Sequence, residues 1–354
     1  MKQLNVAVIG YGRSGRDIHE NYLVTEKDKF KILYIVDELD IRRKMAEKEC
    51  GAKTLTGYKE LFNHKNEIDL VVNASYSYQH QPITLDLLNN GFNVLSEKPL
   101  AKTAAQVDEL ISASKKSGKM LAIFQEYRFM PAFEQLKKII DSGALGRVIQ
   151  IFLQTNTFLR RWDWQTLQEF LGGSLYNTGP HPVDQALNLM DYDPNTKVFC
   201  LMDRVNTYGD ADDFVKLILS APGKPILDIE ISCCDAHPAL SYNVQGSHGS
   251  LTGTTSELNW RCFDPSISPN HELIKTPIHD ADWNPIYCHE NLEWQEHTWK
   301  VDSDSIFTVG TKKLYLNVYD HLVNGKELVV TPEQVRMQIA VQEEAHRQNS
   351  FWKM

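Results

Sequence analysis

Gly10-Tyr11-Gly12-Arg13-Ser14-Gly15 stands directly after the apolar run Val6-Ala7-Val8-Ile9, and this G-x-G-x-x-G spacing constrains the chain more than any other feature. The first glycine allows a tight strand-to-helix turn, the second lets backbone approach a pyrophosphate, and the third permits a helix to pack close on the strand. Amide N–H groups and the helix dipole then face the anion. Asp37, 22 residues beyond Gly15 at the end of a second apolar run, completes the pattern. A carboxylate there binds both ribose hydroxyls and repels a 2′-phosphate. NAD is therefore the expected cofactor, with Tyr11, Arg13 and Ser14 contributing from within the loop. NADP is the lesser alternative, since Arg42 or Arg43 could accept the extra phosphate.

The rest of the first 125 residues repeats the same grammar. Short apolar runs at 5–9, 31–36, 70–74, 93–96 and 120–124 read as strands, separated by helical spacing at 41–50, 81–90 and 104–116. Gly91 and Gly118 sit where glycines end helices. The alternation predicts an α/β domain over residues 1–125, a doubly wound parallel sheet of Rossmann type. After a helix at 131–142 the texture changes to alternating runs at 148–157, 198–208, 214–220, 226–233 and 241–245. Alternation of that kind predicts an α+β domain over 126–354 with an open, largely antiparallel sheet. Two late helices are expected at 311–323 and 332–347, the second with Thr331 as N-cap and Pro332 in the first turn.

Composition narrows the partners. The 354 residues carry 46 acidic and 37 basic side chains, a formal charge of −9, with no Lys/Arg block to follow a phosphate backbone, so nucleic acid is not expected as a partner. No apolar stretch near the start approaches the roughly 20 residues needed to cross a bilayer, and no export signal is visible, so a cytoplasmic protein is expected. The six cysteines include no C-x-x-C pair and read as reduced thiols. His279, Asp280, Asp282, Cys288 and His289 match no standard metal-site spacing, so they read as a solvated loop and no metal is expected.

Ser96-Glu97-Lys98-Pro99-Leu100-Ala101 follows the expected fourth strand, and Gly172-Gly173-Ser174-Leu175-Tyr176-Asn177-Thr178-Gly179-Pro180-His181-Pro182-Val183-Asp184-Gln185 comes later. With the glycine loop these resemble the Gfo/Idh/MocA family, which includes glucose-fructose oxidoreductase and inositol dehydrogenase. Ser75 to His80, Arg128-Phe129-Met130-Pro131, Gly143-Ala144-Leu145-Gly146 and Gly246-Ser247-His248-Gly249 support the resemblance, in order over some two-thirds of the chain. It implies a Rossmann domain joined to a substrate and oligomerisation domain, with the last helix packing back on the first. It also implies reversible NAD(P)-linked oxidation of a sugar, glycoside or cyclitol hydroxyl, and a homodimer or homotetramer formed through the open sheet. The family lysine falls on Lys98. Its D-x-x-x-H pair falls on Asn177 and His181, so the aspartate is absent, and Ser75 and Tyr76 replace the threonine and proline of the T-P-x-x-x-H loop. Ser75, His80, Glu97 and Lys98 are the cofactor-side residues on this reading.

The chemistry then asks for a proton acceptor. His181, flanked by prolines that suit a first helical turn, is expected at the positive end of a helix dipole, which disfavours imidazolium and leaves the ring free to accept a proton. Lys98, fixed by the proline after it, is expected to stabilise a developing alkoxide. Asn177 cannot relay a proton, so it is expected to orient substrate hydroxyls. Tyr127, Arg128 and the segment Arg160-Arg161-Trp162-Asp163-Trp164, which mixes donor forks with aromatic faces, are candidate substrate contacts. Tyr76 and Tyr78 could serve the pocket or simply pack between domains. Loss of the aspartate also motivates a different class of function, a cofactor-binding regulator or sensor without turnover.

Overall fold

The structure, a computed structural model, describes residues 2–238, 240–301 and 306–349. Residues 302–305 and 350–354, within the expected second domain, lie outside the described residues.

In the first half β1 (Leu4–Ile9), β2 (Phe30–Val36), β3 (Lys53–Leu55), β4 (Leu70–Asn73), β5 (Val94–Ser96) and β6 (Leu121–Ile123) form one sheet in the order β3-β2-β1-β4-β5-β6. Every pairing in it is parallel. The continuous apolar strands are what a sheet covered on both faces requires. The chain steps outward from β1 to β3, then returns to the other side of β1 with β4. Between β1 and β4 the connections diverge, and open α/β sheets bind ligands at the carboxyl ends of such strands. α2 (Asp40–Cys50), α3 (His80–Asn89) and α4 (Ala104–Ser117) connect them. Thr103 and Gln106 cap α4 reciprocally, and Gly118 ends it in the left-handed region. The segment after the glycine loop winds in wide π-helical turns over Arg13–Glu20 before one α-helical turn, α1 (Asn21–Leu23). β3 and the 3₁₀ turns at Tyr58–Glu67 were not expected, because three residues at a sheet edge are too few to show a period.

The second sheet has the order β16-β13-β12-β11-β7-β10-β9-β8, from β7 (Val148–Asn156), β8 (Lys197–Asp203), β9 (Phe214–Ser220), β10 (Ile226–Ser232), β11 (Tyr242–Gly246), β12 (Gly249–Gly253), β13 (Glu257–Cys262) and β16 (Gln295–Lys300). It is largely antiparallel, with β7 and β10 paired in parallel at its centre. β14 (Ile278–His279) and β15 (Pro285–Ile286) pair as a small hairpin in the loop before β16. Three strands of this sheet lacked a sequence signal: β12 is bounded by glycines, while β13 and β16 are mostly polar. β8 ends at Asp203 rather than 208. The Asp213 carboxylate accepts the backbone N–H groups of Val205, Asn206 and Thr207 at 2.6–2.7 Å, coiling the chain off the sheet.

α5 (Pro131–Asp141), α6 (Ser174–Asn177) and α7 (Pro180–Leu189) cover one face of this sheet, while Phe199, Leu201 and Ile226 stay exposed on the other. α8 (Ile306–Asn324) begins earlier than expected, and α9 (Pro332–Arg347) has the expected bounds. Leu314, Tyr315, Val318 and Tyr319 of α8 and Val335 and Ile339 of α9 join the core of the first sheet. Val341 and Ala345 join the core of the second, so α9 lies across both. No described helix is long and apolar enough to cross a membrane.

Candidate active site

A cleft of about 920 Å³ runs from the glycine loop to the amino end of α7. The glycines divide by what a side chain would meet. A Cβ on Gly10, at φ +86°, would fall 2.4 Å from the Ala74 carbonyl, and one on Gly15 would fall 1.8 Å from the Gly10 carbonyl. The nearest atom to a Cβ on Gly12 is Nη1 of Arg42 at 3.7 Å. The fold therefore requires Gly10 and Gly15, whereas Gly12 leaves open space in the cleft wall, the cradle a dinucleotide needs. Gly10, Gly12, Arg13 and Ser14 line the cleft. Tyr11, expected among them, is buried rather than on the cleft wall, and its phenol turns away to Glu49 at 2.9 Å. Asp37, 7% exposed, accepts the N–H groups of Tyr11 and Leu39 at 2.8 and 2.9 Å, with Arg42 3.3 Å away. Arg43 is occupied by the carbonyls of Asp37 and Glu38.

Further along, Ser75 binds the Asn73 side chain at 2.7 Å, and buried His80 bridges the carbonyls of Ser75 and Pro99. That bridge ties the loop after β4 to the Lys98-Pro99 turn, whose peptide is cis. Glu97 is buried beside His19 at 3.2 Å, and His19 continues to the Tyr315 hydroxyl of α8 at 2.8 Å. Burial alone would raise the Glu97 pKa, but the bond and charge of His19, with Lys98 beside it, hold this carboxyl well below the usual range.

Lys98 Nζ reaches across to the second half and donates to the Asn177 carbonyl at 2.7 Å. The Asn177 amide oxygen lies 3.4 Å from Gln165 Nε2. His181 is the second residue of α7, after the Gly179 cap and Pro180. Its ring stacks on Tyr127 with centroids 3.9 Å apart, and its pKa lies well below the usual histidine value because of burial and then the Lys98 charge. The sequence reading missed the nearest acid. Glu126, in the turn after β6, lies with Oε1 3.9 Å from His181 Nε2. Burial and the Glu97 charge push its pKa well above the carboxylate range. A charged residue three positions after the buried strand Leu121–Ile123 was the available signal.

Three substrate candidates fall elsewhere. Arg128 is not in the cleft wall: its guanidinium forms a bidentate, buried pair with Asp184 at 2.6 and 2.8 Å and also contacts Tyr192. Arg160 points to Tyr208 at 3.0 Å, and Trp162 is 78% exposed. Arg161 and Asp163 line the cleft while Arg160 and Trp162, alternating with them, do not, and the 3₁₀ turn Trp164–Thr166 adds Trp164 and Gln165 to the wall. Tyr76, Tyr78 and Trp164 form an aromatic wall, with Tyr76 edge-on to Trp164 at 5.1 Å and stacked on Tyr78 at 5.9 Å. Beyond Asn177 a recess of about 100 Å³ is lined by Thr155, Thr157, Ser174, Thr207 and Asp212. In the loop before β16, Asp280 caps its own turn through Asp282 and Asn284.

Residues 4–125 match a family described as "Oxidoreductase family, NAD-binding Rossmann fold", and residues 133–252 match the GFO/IDH/MocA C-terminal domain. The chain belongs to the GFO/IDH/MocA oxidoreductase family. Among relatives of this GFO/IDH/MocA chain, a D-glucoside 3-dehydrogenase of Escherichia coli is 30% identical over 195 residues, covering 53% of this chain and 54% of that protein. An inositol 2-dehydrogenase of Salmonella paratyphi B is 28% identical, covering 54% and 56%. A solved structure titled GenD2 from gentamicin A biosynthesis, in complex with NAD, has the same fold at TM-score 0.78 and 21% identity, with 98% of this chain and 94% of that one covered.

Proposed function

We propose that this chain is an NAD-dependent oxidoreductase that moves hydride between the nicotinamide and a secondary hydroxyl or ketone of a sugar, glycoside or cyclitol. The observation that carries the reading is the meeting of Lys98 and His181, from opposite halves of the chain, in one cleft with the glycine loop and Asp37. The relatives named for glucosides and inositol support the substrate class. Residues 1–125 would serve the cofactor and 126–354 the substrate. We place the protein in the cytoplasm as a homodimer or homotetramer.

NAD would lie with its pyrophosphate on the Gly12 backbone and its ribose hydroxyls on Asp37, and it supplies the hydride acceptor. Asp37 disfavours a 2′-phosphate, which is why NADP is the lesser choice. His181, neutral near pH 7, accepts the carbinol proton, and Lys98 stabilises the developing alkoxide from a water-poor site. Asn177 and Gln165 offer donors and acceptors to further hydroxyls, while Tyr76 and Trp164 offer ring faces to sugar C–H groups. The test is NAD reduction, followed by absorbance, over a panel of inositols, monosaccharides and methyl glycosides, repeated with NADP. Turnover of at least one member supports the reading. Tight NAD binding without any turnover would favour a sensor, for which the replacement of aspartate by Asn177 is the motive. Dinucleotide released on denaturing the purified protein would instead identify an enzyme that recycles its cofactor between two sugars.

A further inference from the structure

We propose that Glu126 is the acid–base partner of His181 in this chain, supplying the negative charge that Asn177 cannot. This rests on the oxidoreductase reading above. Glu126 and His181 arrive from separate elements, the turn after β6 and the first turn of α7, and both line the cleft. Oε1 of Glu126 stands 3.9 Å from Nε2 of His181, while Oε2 of Glu126 and Nδ1 of His181 are buried without a hydrogen-bond partner among the described residues. Buried polar atoms left open in this way are rare, and here two of them belong to neighbouring titratable groups in a cleft.

His181 is a weak base by itself. It is buried, it sits at the positive end of α7, and Lys98 is close enough to oppose a second positive charge. An asparagine at 177 offers no charge to balance an imidazolium, and its backbone carbonyl is already bound by Lys98. Among the described residues, Glu126 is the carboxyl within 4 Å of the ring, at 3.9 Å. The groups facing it are Glu97 and Lys98 from the end of β5, His181 and Asp184 from α7, and the neighbouring Tyr127. Asp184 is neutralised by Arg128. α8 packs Gly310 against the Glu126 carbonyl, and its Lys313 is held by Glu134 of α5. Glu97 is ionised, so Glu126 keeps a proton in the resting protein, and positive charge entering the cleft favours its release.

The step then balances. The carbinol C–H bond breaks with its electron pair passing as hydride to NAD⁺, the oxidant. The O–H bond breaks and its proton goes to His181 Nε2. Glu126 gives its own proton to water when NAD⁺ brings positive charge into the cleft, the imidazolium formed in the step pairs with the resulting carboxylate, and the proton on His181 leaves to water after the ketone. Two coupled groups titrate as a pair, in two macroscopic steps.

The experiment uses the full chain with saturating NAD⁺ and the variants Glu126→Gln, Glu126→Asp and Glu126→Gln/Asn177→Asp. Histidine-ring NMR, with the His181 signals assigned by their loss in His181→Asn, is followed against pH. The expected result is two steps in the unaltered protein, the upper one absent in Glu126→Gln and retained in Glu126→Asp. Identical His181 titration in the unaltered protein and Glu126→Gln, or loss of the upper step in both single variants, overturns the proposal. On any panel sugar that is turned over, Glu126→Gln is expected to lower kcat for oxidation about tenfold or more. It should also flatten the rise of kcat with pH, and Asn177→Asp should recover part of the loss. Unaltered kcat and pH profile in Glu126→Gln overturn the proposal. Absence of turnover over the whole panel sinks the dehydrogenase reading instead, and the ring titration still decides the pair.

Discussion

Lys98 Nζ donates a 2.7 Å hydrogen bond to the backbone carbonyl of Asn177, joining two residues 79 positions apart in the chain. Because the acceptor is main chain, the ammonium is anchored whatever side chain stands at 177. The residue that departs from the family pattern therefore leaves the position of Lys98 untouched and alters only the charge beside it.

Lys98→Ala and His181→Ala are each expected to reduce kcat about tenfold or more, the low end for groups that handle protons and alkoxides. NAD affinity should survive both, since Asp37 and the glycine loop are unaltered. Initial rates on an accepted sugar, with a fluorescence titration of NAD, read the two effects separately. Unchanged turnover in both variants would reject the roles assigned to them.

Gly12→Ala and Gly15→Ala should fail differently. A methyl on Gly15 would sit 1.8 Å from the Gly10 carbonyl, so that variant is expected to lose stability or fail to fold. A methyl on Gly12 meets Arg42 only at 3.7 Å, so the protein should keep its melting temperature and lose NAD affinity. Thermal melts with and without NAD distinguish them. Equal melting without NAD for the two variants would contradict the assignment.

Arg128→Met strands Asp184 in the core and is expected to cost about 3–5 kcal/mol of stability, as removal of one partner of a buried pair does. Arg128→Met/Asp184→Leu should cost much less than the single change. Urea denaturation measures both. A substrate KM that rises in Arg128→Met at unaltered stability would return Arg128 to the substrate site.

Asp212 makes stability fall with rising pH. Its carboxyl is buried behind α6, with Oδ2 accepting from Leu175 N–H and Oδ1 without a partner among the described residues, and burial pushes its pKa up to about 7. The unfolded chain releases this proton near pH 4 while the folded protein keeps it to about 7. Between those values the folded state binds more protons, so this group's contribution declines by up to about 1.4 kcal/mol per pH unit. Asp212→Asn should flatten the decline between pH 4 and 8 in denaturant midpoints. Parallel curves for the two proteins would show that Asp212 does not hold its proton.

Much of the fold was legible because it obeys short periods. The parallel strands are buried on both faces and read as continuous apolar runs, and α9 announced both ends through Thr331, Pro332 and a regular apolar stripe. β3, β12, β13 and β16 were illegible for the opposite reason: each is short, glycine-bounded or polar, and is a strand because a neighbour offers it hydrogen bonds.

The site divides along the same line. The glycine loop, Asp37, Lys98 and His181 could be named from sequence, because each belongs to a local spacing whose chemistry is fixed by backbone geometry within a few residues. Side-chain direction and charge environment are not local. Arg128 carries the same donor fork as Arg161, yet Asp184, 56 residues later, lies against it, and Arg160 turns to Tyr208 while its neighbour Arg161 lines the cleft. Glu126 carried no motif, and its significance arises where the turn after β6, α7 and the end of β5 exclude water together. Sequence determined which groups the protein has for binding a dinucleotide and moving a proton. Tertiary structure decided which of them share a desolvated space, and in that space proximity and low dielectric set their protonation.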